Sequence, residues 1–159
     1  MLPLSEATIS ELVSESKPFP SGILPLHWAS ERNGHRIRNF DLKTESGNSF
    51  VIKIRQASDY PMNFSVILGY LLPGSYKVFR LRRYNGRHVH TNPLEKETFY
   101  DFHVHLATER YQSHPGFKED HFAVTTDKYH DLHGAIEQFV NDCGLNPGFG
   151  DLPLFGLTK

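Results

Sequence analysis

The chain has 159 residues, 38% of them hydrophobic, enough to build one domain around a real core, and twelve phenylalanines make much of that core aromatic. Its net charge of −1 excludes a globally basic nucleic-acid binder, and its single cysteine, Cys143, excludes an intramolecular disulfide and a thiolate-rich zinc site. No apolar run approaches a membrane span, and the first residues carry Glu6, Glu11 and Glu15 where a signal peptide would be basic and then apolar, so a soluble cytoplasmic protein is expected.

Ser5 is placed to cap a short helix in which Ile9, Leu12 and Val13 form a stripe, and Pro18 and Pro20 end it. Residues 18–34 read as an irregular connection. Strand-like segments follow at 36–44 and 49–56, linked by the turn-rich Glu45-Ser46-Gly47-Asn48, and then at 63–72. Pro73-Gly74 marks a turn before a strand over 76–84, and a polar loop over 85–98 leads to strands at 99–108 and 121–126. The clearest helix is last: Leu132, Ala135, Ile136, Phe139 and Val140 keep the i, i+3, i+4 spacing, with Asp127 or Asp131 as cap and Gly144 as stop. Cys143 extends that apolar stripe. The economical architecture is α+β: a single antiparallel sheet of five or six strands, with a short N-terminal helix and a C-terminal helix packed on one face. One domain over 1–159 is expected, with 1–34 as helix and arm, 35–143 as sheet plus helix, and 144–159 as an apolar Gly/Pro tail.

Ten histidines are present, and four sit in two triplets, His88-Val89-His90 and His103-Val104-His105. Alternation puts His103 and His105 on one face of their strand, with Asp101 beside them. The same sorting places Lys53 and Arg55 opposite Ile52 and Ile54, and Arg80, Arg82 and Tyr84 opposite Phe79 and Leu81. Gathered on one sheet face, these groups suit a phosphodiester. Lys53, Arg55, Arg80 and Arg82 would hold phosphate, while His103 and His105 exchange protons and His90, Tyr84 and Asp101 position them. That chemistry needs no cofactor and no metal. His103-Val104-His105 with Glu109 and Gly116 also fits the centre of a cupin's first metal-binding motif, though Glu97 stands where its leading glycine belongs. His88, His90, His103 and His105 in another fold would make a sensible zinc or nickel site.

Arg83-Tyr84-Asn85-Gly86-x-His88-x-His90-Thr91-Asn92-Pro93, with His103-Val104-His105-Leu106 and Glu109-Arg110-Tyr111, resembles a group of small bacterial proteins of unknown function. The stretch over 76–143 is also distantly similar to TumE-like toxin components. The resemblance implies a compact α+β protein from a mobile or defence-related locus and an RNA-cleaving toxin. Three functional expectations follow. The first is a metal-independent endoribonuclease of a toxin–antitoxin or defence locus. The second is a non-enzymatic immunity or regulatory module that binds protein through a sheet edge or the tail. The third is a histidine-based metal enzyme. RNA, a cognate protein such as an antitoxin, or a second copy of the chain are the partners these readings imply, and a membrane is not among them.

Overall fold

The computed structural model describes residues 3–146. Helix α1 (Glu6–Ser14) starts where Ser5 Oγ accepts a hydrogen bond from the Thr8 amide at 3.1 Å, and it buries Ile9, Leu12 and Val13. After the two-residue β1 (Lys17–Pro18) come β2 (Ser30–Arg32), β3 (His35–Lys43), β4 (Ser49–Ala57), β5 (Phe64–Leu71) and β6 (Val78–Arg87). A small hairpin of β7 (His90–Asn92) and β8 (Glu97–Phe99) precedes β9 (Phe102–Leu106), the single turn α2 (Glu109–Gln112) and β10 (Ala123–Thr125). Helix α3 (Leu132–Asp142) is capped by Asp131, and β11 (Leu145–Asn146) closes the described chain.

Seven strands form the sheet, in the order β10-β9-β6-β5-β4-β3-β2, and every neighbouring pair is antiparallel. The expectation of five or six strands is corrected by β2. Asn33 (φ 53°) and Gly34 (φ 77°) make a two-residue turn in the left-handed region, which turns the end of the expected irregular connection into an edge hairpin with β3. The central loop over 85–98 likewise holds a hairpin, β7–β8, and β9 is shorter than the expected strand because Phe99 belongs to β8. Of the expected tail over 144–159, Leu145–Asn146 form β11 in parallel with β1, and residues 147–159 lie outside the described residues.

Both longer helices cover one face of the sheet. Ile52, Ile54, Val66, Leu68, Leu81 and Tyr84 have no exposed surface there and pack with Ile9, Leu12, Ile136 and Phe139 into one core. Lys17 ties the helix ends together. Its ammonium donates to the carbonyls of Leu12, Val13 and Glu15 at the end of α1 and to that of Cys143 at the end of α3, at 2.8–2.9 Å. Burial pushes this amine down to about 8, so it is protonated at neutral pH and suits the negative ends of two helix dipoles. Gly144 (φ 71°) lets the chain turn there, since a Cβ would lie 2.4 Å from the Glu15 carbonyl oxygen. Among the described residues no helix is long and apolar enough to cross a membrane.

Candidate metal centre

Alternation on β9 sends Val104 into the core and turns His103 and His105 to the face away from the helices. An antiparallel sheet commonly leaves that face to water. Here both imidazoles are buried all the same, His103 at 0% and His105 at 3% exposure. The β7–β8 hairpin roofs them. The His90 ring sits 5.5 Å from His103 and 4.6 Å from His105, and the Phe99 ring packs at a tilt against His90 and His103 at 5.6 and 5.5 Å. One ring nitrogen from each of His90, His103 and His105 lies within 4.8 Å of the others.

One nitrogen of each ring is engaged, and each partner dictates the tautomer. His103 Nδ1 donates to the Asp101 carbonyl at 2.8 Å, and His105 Nδ1 donates to the Asp120 carbonyl at 2.8 Å. A backbone carbonyl only accepts, so both rings keep their lone pair on Nε2. His90 Nε2 meets Asn92 Oδ1 at 2.8 Å. The Asn92 amide cannot flip, because its oxygen accepts from the Ala123 amide at 2.9 Å and its nitrogen donates to the Ala123 carbonyl at 2.7 Å. His90 is therefore the donor at Nε2 and keeps its lone pair on Nδ1. Three imidazoles thus cluster, each oriented by a hydrogen bond at one nitrogen and each with its lone pair on the other. His103 Nε2 is buried without a hydrogen-bond partner among the described residues.

Charge works in the same direction. Burial first, then the neighbouring imidazoles and Arg83, push His103 down to about 4. Burial, followed by Arg83 and the other two rings, pushes His105 down to about 2. His90 and His88 are also lowered, chiefly by burial. At neutral pH the cluster is uncharged and rich in lone pairs, which is the state that binds a metal ion.

On β6, Arg83 stands directly opposite His105 across the strand pair. Its Nε lies 3.2 Å from Asp120 Oδ2, and Arg80 Nη2 reaches the other oxygen of the same fully buried carboxylate at 3.3 Å. Asp120 thus serves twice, its carbonyl orienting His105 and its carboxylate holding two guanidiniums. A cavity of about 320 Å³ opens beside the rings, lined by Arg83, His88, His90, His105, Gly116, Lys118, Asp120 and His121. A larger cleft lined by Arg87, Asp101, Phe102 and Lys128 reaches none of the three converging rings.

The residues expected from the sequence are only partly brought together. His90, His103 and His105 meet. Arg80 shares their face of the sheet but is spent on Asp120 and Glu119. Asp101 contributes its carbonyl to His103, while its side chain is exposed. Arg82 and Tyr84 point to the helix side, contrary to the sorting by alternation. A bulge in β6, where Leu68 faces Arg82 and Gly69 faces Arg80, lets Leu81 stand unpaired and reverses the pattern beyond it. Tyr84 is buried against Phe139 and donates to Asp142 at 2.7 Å, with Arg82 bound to its oxygen. Lys53 and Arg55 are exposed on β4, three strand spacings or roughly 14 Å from β9. Arg83 and Asn92 stand in the motif that carries the resemblance but were given no site role, and Lys118 and Asp120 were not singled out by sequence. The bulge hides Arg83, and the other three join the site only through long-range contacts.

Comparison with protein-family models, curated proteins and solved structures returns no match. The reading of the site rests on its own chemistry.

Proposed function

We propose that His90, His103 and His105 bind a transition-metal ion and that the protein is a metal-dependent hydrolase. The observation that carries this is the partnerless, fully buried Nε2 of His103, set among rings whose other nitrogens are all tied to fixed acceptors. Outer hydrogen bonds from ligand imidazoles to carbonyls are the usual way a protein orients such ligands. Three imidazoles suit zinc, or nickel and copper, better than magnesium or calcium, which prefer oxygen. Tetrahedral zinc ligands stand roughly 3.3 Å apart at the usual bond length, so nitrogens within 4.8 Å of one another would need to draw in by up to about 1.5 Å. A three-ligand site open to a cavity would leave a coordination position for water, and a zinc ion held there would supply a water acidified toward neutral pH. His88 is the candidate fourth ligand; it is exposed at the mouth, with its ring 4.7 Å from His103.

RNA cleavage is the second reading, favoured by the cations beside the rings. Its metal-independent form asks one imidazole to arrive protonated, and burial holds both His103 and His105 neutral well below pH 7. His103 is also closed off from any substrate.

The test is zinc content by elemental analysis of untagged protein after equilibration with zinc and desalting. About one equivalent per chain is expected, falling to near zero in a folded His103→Ala/His105→Ala variant. A wild-type protein that retains no metal would sink the proposal. The same preparations decide the second reading, since RNA cleavage that survives chelation would place the chemistry on the histidines themselves.

A further inference from the structure

We infer that the cavity beside the three imidazoles is a phosphate subsite, formed by Arg83 with Lys118 at its rim, and that the substrate carries a phosphate group. The inference rests on the proposed metal centre for the reacting position. Its anion contacts belong to the metal-free protein as well.

Arg83 is the decisive side chain. Its Nε is engaged by Asp120, which fixes the plane of the guanidinium, while its two terminal amino groups have no acceptor among the described residues. The side chain is 27% exposed and lines the cavity. A half-buried guanidinium held at one edge and open at the other is a preformed fork for a tetrahedral oxyanion. The surrounding charge agrees. Asp120 is the only carboxylate lining the cavity, and its two oxygens each face a guanidinium, so one negative charge is shared by two positive ones. Lys118 is exposed, lines the cavity and has no ion pair among the described residues. A cationic ligand would meet repulsion here, and a neutral one would leave the fork unused. Because Arg83 faces His105 across one strand pair, an anion on the fork lies next to the converging ring nitrogens. One phosphate oxygen can then reach the metal position while others stay on Arg83. A space of about 320 Å³ takes a small phosphate ester or the end of a longer phosphodiester chain.

Inorganic phosphate is the probe, titrated calorimetrically into zinc-loaded and metal-free protein, with acetate as the comparison anion. Phosphate is expected to bind both forms, and to bind the zinc form more tightly. Arg83→Gln should weaken binding in both forms roughly 10- to 100-fold while zinc content stays at the wild-type level. Lys118→Gln should have a smaller effect in the same direction. Unchanged phosphate affinity in a folded Arg83→Gln variant would overturn the inference while leaving the metal centre standing. Equal binding of acetate and phosphate would overturn the phosphate assignment. Phosphate binding that depends on Arg83 in a protein without zinc affinity would uphold the subsite and remove the metal reading. If Arg83→Gln fails to fold, Arg83→Lys keeps the charge and loses the fork. It should weaken binding less than tenfold, and an affinity equal to wild type would again count against the fork.

Discussion

Asn92 decides which nitrogen of His90 is free. It is fully buried, and both ends of its amide are bound to the Ala123 backbone, so it presents its oxygen and nothing else to the ring. That is a role no ligand search by residue type would find, because Asn92 touches no proposed metal position. Loss of such an outer partner costs metal affinity even where the ligands are unchanged. Replacing Asn92 by the near-isosteric Leu is expected to lower zinc affinity roughly 10- to 100-fold, measured by competition with a chromophoric chelator. An affinity equal to wild type in a folded Asn92→Leu protein would show that the amide only pins the hairpin. At this scale the sequence was informative about His103 and His105, since a two-residue period needs no tertiary knowledge. It gave no role to Asn92 or Asp120, whose partners lie 31 and 15 residues away along the chain.

At the scale of elements, two irregularities in β6 set the site. The bulge at Leu81 and Arg82 exchanges Arg82 for Arg83 as the cation facing His105. A second break between Asn85 and Arg87 places Gly86 against the Met62 backbone, where a Cβ would lie 1.7 Å from the carbonyl oxygen. Only glycine fits that approach, and the strand end it creates launches the hairpin that delivers His90. Gly86→Ala is accordingly expected to cost roughly 3 kcal/mol or more, read from urea denaturation. A cost below about 1 kcal/mol would mean that the β5 side yields and that the close approach does not matter. Bulges insert a residue without changing composition, which is why alternation could sort Phe79 and Arg80 correctly and fail from Arg82 onward. The Asn33-Gly34 turn was different. Its dipeptide is a strong hairpin signal that reading 18–34 as an irregular connection passed over.

Across the whole molecule, the helices and the sheet are joined by Lys17, which has 1% exposure and an ammonium 4.6 Å from the Phe50 ring centre. It closes the C-terminal ends of α1 and α3 together, so the two segments that cover the core share one cation. Lys17→Met leaves those carbonyls without their donor and is expected to cost roughly 3–5 kcal/mol, by denaturant melts at pH 7. A loss under about 1 kcal/mol would show that water replaces the ammonium without difficulty.

What the amino-acid sequence determined by itself was local: the capped helices, the strands of the sheet apart from its edge, and the shared face of His103 and His105. Each follows from a short period or from a residue whose backbone preference acts within a few positions. The tertiary structure alone decided that a hairpin would roof that face and bury the imidazoles. It also decided that Arg83, not Arg82, would stand beside them, and that Asn92 and Asp120 would dictate their tautomers. Those outcomes depend on register shifts and on contacts between distant segments. Their energies arise only when the strands pair, so no window of the sequence contains them.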